Sequence, residues 1–142
     1  MEELKNWYQK LLDDYHKWIS CSLSWKKERN ASMKDLQFPF PYREWQREIV
    51  SGVYHTVSSK KTLFVQAPTG VGKTMSAIFP SVRAIGEGKG ETLFYLTAKT
   101  ITGTVAWEAF HTLRENGLKF KVTAITAKEK LCFLDSPEFQ RI

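Results

Sequence analysis

The chain has 142 residues, 42% of them apolar, and a formal net charge of +6. That length holds a single modest domain, that apolar share excludes a disordered chain, and the spread-out positive charge suits a polyanionic partner without demanding one. No apolar run approaches the ~20 residues of a membrane span, the acidic start Met1-Glu2-Glu3 lacks an export signal's apolar core, and the two cysteines, Cys21 and Cys132, make no disulfide framework, so a cytoplasmic, reducing location is expected.

Leu4, Trp7, Tyr8, Leu11, Leu12, Tyr15, Trp18 and Ile19 recur at spacings of three and four, with charged residues between them. This predicts an amphipathic helix over residues 3–19. Its aromatic stripe reads first as core packing and second as a docking face. The pattern fades over Ser20–Ser24, resumes near Trp25 and yields to a linker at 30–37, which makes 1–35 an N-terminal helical extension. Phe38-Pro39-Phe40-Pro41-Tyr42 follows. Its prolines exclude a regular helix and stiffen a segment that carries three aromatics. A second helix then runs to about Val57, with Ile49, Val50, Val53 and Tyr54 on its apolar side.

Leu63 to Thr74 is the most informative stretch. It opens as a short apolar run that reads as a buried strand. It closes on Gly70-Val71-Gly72-Lys73-Thr74, and an apolar helical pattern follows at once. Glycines there let successive backbone N–H groups turn inward on phosphate oxygens, and the helix adds the positive end of its dipole. Lys73 is placed to reach the β- and γ-phosphates of a nucleoside triphosphate, and the Thr74 hydroxyl to ligate Mg²⁺. Downstream, Met75–Ile85 reads as a helix that Pro80 kinks, Thr92–Thr97 as a second buried strand, Thr102–Asn116 as a helix stopped by Gly117, and Phe120–Thr126 as a third strand. Strands alternating with helices predict an α/β domain: a parallel sheet with helices on both faces and the nucleotide beyond its strand ends. Gln46, at the start of a helix beside the aromatic segment, has the paired donor and acceptor that read an adenine edge, and Tyr42 or Phe40 can stack on the base.

Three segments together carry a resemblance: Phe40-Pro41-Tyr42-Arg43 with Gln46, then Ala67-Pro68-Thr69-Gly70-Val71-Gly72-Lys73-Thr74, then Tyr95-Leu96-Thr97-Ala98-Lys99-Thr100. They resemble successive motifs of superfamily 2 DNA helicases, nearest to the iron–sulfur XPD/DinG group. The resemblance implies a RecA-like P-loop motor domain, of which 36–142 is the first part. It implies that Tyr42, Arg43 and Gln46 recognise adenine and that Thr69, Gly70, Val71, Gly72, Lys73 and Thr74 hold ATP and Mg²⁺. It assigns Thr97, Lys99 and Thr100 to the phosphate backbone of single-stranded DNA. Ile125-Thr126-Ala127-Lys128-Glu129-Lys130-Leu131-Cys132 is similar to the context of that group's first cluster ligand, so Cys132 would be one of four thiolates on a 4Fe-4S cluster. The Asp-Glu pair of such motors is absent from the sequence. The chain is therefore expected to be a fragment, inactive alone, whose acid, other cluster ligands and second motor domain lie downstream. Two alternatives stay open: a stand-alone P-loop kinase or NTPase with Asp135 as the Mg²⁺-holding acid, and a non-catalytic module that docks a partner.

Overall fold

The computed structural model describes residues 1–98 and 100–125. Among them are four helices: α1 (Glu2–Asp35), α2 (Gln46–Ser58), α3 (Lys73–Gly86) and α4 (Thr100–Glu115). α1 is a single rod of 34 residues, about 51 Å long at 1.5 Å per residue. Neither the fading pattern after Ile19 nor the expected linker interrupts it. The reason is local: no glycine or proline occurs between Glu2 and Asp35, so nothing stops propagation until the chain nears the proline segment. α2 and α3 form where apolar spacing puts them. α3 runs on through Pro80, whose ring is fully buried. α4 ends as expected at Gly117, whose positive φ of 94° lets the Leu118 N–H turn back to the Leu113 carbonyl at 3.0 Å.

α3 is the axis of the molecule. Met75, Ile78, Phe79, Val82 and Ile85 meet Met33 and Leu36 from the end of α1, and Ala106, Ala109, Phe110 and Leu113 from α4. Full burial of Ile78, Val82 and Leu113 stabilises by about 2 kcal/mol each. α1 and α3 approach closely at Gly86, where an added Cβ would lie 2.5 Å from Met33 Cβ. α2 covers another side of α3. The rest of α1 touches little: Leu4, Trp7, Tyr8, Leu11, Tyr15 and Trp18 are all exposed, Trp18 by 66%. Among the described residues the stripe is not core packing. Its neighbours in sequence are helical, but no second element of the described chain lies over it.

The expected parallel sheet is overturned. Among the described residues there is no strand, and all the regular structure is helical. Two of the three segments read as strands run between helices and the third follows α4, and among the described residues none of them forms a backbone ladder. Two of them keep a period of two. Leu93 and Tyr95 pack on the helical core while Phe94 and Leu96 face out, and Phe120 and Val122 pack inward while Lys121 and Thr123 do not. In the first segment Phe64 is 93% exposed. Strands of a parallel sheet need a neighbour about 4.8 Å away and cover on both faces. These segments have cover on one face or none, so their alternation builds a lining for the helices and not a sheet. The glycine loop ahead of α3 and the Thr97 segment consequently share no strand-end edge.

Candidate functional site: the loop ahead of α3

The loop from Ala67 to Gly72 is closed on itself by the first residue of α3. The Lys73 ammonium donates to the carbonyl oxygens of Ala67 at 3.0 Å and Pro68 at 2.7 Å. Gly70 and Gly72 have φ of 89° and 75°, which a side chain strains to adopt. Gly72 caps the helix, and its carbonyl accepts from both the Ser76 N–H and the Ser76 hydroxyl at 3.0 Å. The N–H groups of the first turn are left without intrahelical partners, at the positive end of a 14-residue helix. A concave backbone loop, a lysine and a helix N-terminus thus converge, which is an arrangement suited to phosphate.

A second layer braces the loop. The Arg43 guanidinium donates to the Gly70 carbonyl. The Arg43 backbone N–H donates to Gln46 Oε1 at 3.0 Å. Gln46 is 4% exposed, and its Nε2 sits 2.5 Å from where a Cβ on Gly72 would be. Two of the three residues expected to recognise adenine, Arg43 and Gln46, are therefore built against the glycine loop itself. Between them Trp45 takes a left-handed backbone, φ 62°.

Phe40, Thr69, Gly70, Gly72, Lys73 and Thr74 line one open cleft of about 460 Å³, with Val105, Glu108, Ala109 and Thr112 of α4 opposite. Tyr42 is not among its walls. One face of the Tyr42 ring stacks on Phe38 at 4.4 Å, and Arg47 lies over the ring at 5.2 Å, so Phe40 is the aromatic presented to the cleft. Phe38 in turn packs edge-on against Phe79 of α3 at 5.2 Å. Val71 is half-buried and does not line the cleft. Thr97 belongs to a different groove, of about 610 Å³, which Tyr95, Trp107 and Phe120 also line. Thr100 opens α4. Lys99, Cys132 and Asp135 lie outside the described residues.

Sequence reasoning gave no role to Glu108 or Tyr95. Glu108 was legible in principle, since Val105, Glu108, Ala109 and Thr112 fall at helical spacing on one face. Tyr95 had no local signal: its hydroxyl comes within 3.4 Å of Thr74 Oγ1 across 21 residues. Among the described residues no group of three or more His, Cys, Asp or Glu converges as a metal site. The donors present suit a hard cation held mostly by phosphate and water, with one hydroxyl from the protein.

The chain is similar over 47 residues, at 40% identity, to a probable ATP-dependent helicase of Methanocaldococcus jannaschii. The match covers 32% of this chain and 7% of that protein, so the chain spans a small part of the helicase's length. No protein-family model matches the chain, and no solved structure does. No helix among the described residues is long and apolar enough to cross a membrane.

Proposed function

We propose that the chain is the ATP-binding portion of an ATP-dependent DNA helicase. The observation that carries this reading is the loop before α3, held by Lys73 on one side and by Arg43 and Gln46 on the other. The local similarity to a helicase supports it. In this reading a triphosphate displaces the Ala67 and Pro68 carbonyls as the partners of Lys73 and lies on the first turn of α3. The base lies toward Phe40, with Gln46 and Arg43 behind the loop. Mg²⁺, held by Thr74 and the phosphates, would neutralise charge on the phosphate oxygens. Thr97, Lys99 and Thr100 contact the backbone of single-stranded DNA, without reading its sequence. With no Asp-Glu pair in the sequence, this chain alone is expected to turn ATP over negligibly, even with DNA.

The deciding measurement is equilibrium binding of ATP with Mg²⁺ to the full chain and to Lys73→Ala. Losing a charge-assisted contact of this kind costs about 1.5–3 kcal/mol, so affinity falls roughly 10- to 100-fold. Equal affinities would overturn the assignment. The exposed stripe of α1 favours a second role alongside the first, since a docked partner would leave nucleotide binding untouched by Trp7→Ala or Trp18→Ala.

A further inference from the structure

Tyr95 stands between two cavities. Its ring packs on the core shared by α3 and α4 and forms part of the wall of the groove that holds Thr97. Its hydroxyl reaches to 3.4 Å from Thr74 Oγ1, and Thr74 lines the nucleotide cleft. A threonine hydroxyl that ligates a cation directs a lone pair at the metal, and its proton must then go to another acceptor. The phenol oxygen of Tyr95 is in place to take it, on a ring fixed by packing. Metal ligands are oriented in this way by groups one shell out, whose loss costs 10–100-fold in metal affinity.

Resting on the nucleotide-binding reading above, we propose that Tyr95 is a positioning residue for the Mg²⁺ ligand: its hydroxyl accepts the Thr74 proton and aims the Thr74 oxygen into the cleft. Tyr95 touches neither nucleotide nor metal. It acts through Thr74, and it joins the cleft to the segment that ends at Thr97.

The test compares ATP affinity with Mg²⁺ and with EDTA, on the 142-residue chain and on Tyr95→Phe, Thr74→Ala and the double variant. Tyr95→Phe keeps the ring in the core and removes one oxygen. The expected result is that the gain in affinity from Mg²⁺ shrinks roughly tenfold in Tyr95→Phe, with the affinity in EDTA within about twofold of wild type and the melting midpoint unchanged. In the Thr74→Ala background, Tyr95→Phe then changes nothing further, because the two act as one unit. An undiminished Mg²⁺ effect in Tyr95→Phe overturns the proposal. So does an equal loss with and without Mg²⁺, which would make Tyr95 a packing residue only. A wild-type chain that binds ATP in neither condition instead sinks the nucleotide-binding reading, and this proposal with it.

Discussion

At the scale of single residues the site is defined by what cannot be enlarged. Gly72 has a positive φ of 75°, and an added Cβ would meet Gln46 Nε2 at 2.5 Å. Two costs follow from one methyl group. The left-handed backbone costs an alanine about 1–2 kcal/mol, and the collision requires Gln46 to withdraw from its bond with the Arg43 N–H. Gly72→Ala is expected to destabilise the chain by about 2 kcal/mol in urea unfolding. Placing it in a Gln46→Ala background relieves the collision and leaves about 1 kcal/mol of backbone strain, so the two substitutions are non-additive. Strict additivity would mean that Gln46 does not brace the loop. Trp45, beside Gln46, holds a left-handed backbone without being glycine. Such strain persists only where neighbours over-determine it, and here the bonds on either side of Trp45 do so: Gln46 N–H to the Arg43 carbonyl at 3.1 Å and Ile49 N–H to the Trp45 carbonyl at 3.2 Å.

At the scale of elements, α1 is two things in one helix. Its last turns are structural. At the crossing with α3, a Cβ on Gly86 would lie 2.5 Å from Met33 Cβ and 3.2 Å from the Asn30 carbonyl and the Lys34 nitrogen. Two of those three atoms are backbone, so side-chain rearrangement cannot make room. Gly86→Ala must push the helices apart, with a cost of about 1–3 kcal/mol. Ionic clips outside the crossing are worth far less: Lys26 with Glu91 at 2.6 Å and Lys119 with Glu28 at 2.9 Å are exposed pairs, each contributing well under about 1 kcal/mol. The first half of α1 bears aromatics that no described element covers. Trp18→Ala should therefore change stability by no more than about 0.5 kcal/mol. The pair of measurements, made by thermal unfolding, separates the two halves of the helix. A loss above about 2 kcal/mol for Trp18→Ala, the size expected of a buried aromatic, would show that the stripe is covered in solution.

At the scale of the whole molecule, what was legible in the sequence was what depends on near neighbours. Apolar spacing located α2, α3 and α4, and Gly117 located the end of α4, because helix hydrogen bonds and caps close within five residues. The glycine loop ahead of α3 was legible for the same reason: Gly70, Gly72, Lys73 and Thr74 are contiguous. The sheet was not, because the alternation of Leu93 and Tyr95 against Phe94 and Leu96 describes side chains, whereas a ladder depends on a partner elsewhere in the chain. Contacts across distance were equally hidden: Tyr95 on Thr74, Phe38 on Phe79, and Arg43 on Gly70. One such long-range cluster sets a pH dependence. Tyr54 near the end of α2 donates its hydroxyl to Glu87 just past α3, and Lys89 donates to the Tyr54 oxygen at 2.8 Å and to Ser58 Oγ at 3.0 Å. The Tyr54 bond first, and Lys89 after it, hold the Glu87 carboxyl below the usual carboxylate range. A carboxyl whose pKa is lower folded than unfolded stabilises the fold above the unfolded value. That stabilisation is lost as pH falls through the folded one. Tyr54→Phe removes the largest cause and keeps the ring. It should therefore be less stable than wild type at pH 7, and the gap should close only as the solution is taken below the usual carboxylate range and through the lowered folded value of Glu87. Urea unfolding of the two chains across that range is the check. A gap that stays constant with pH would mean that the Tyr54 hydroxyl acts through something other than the charge on Glu87.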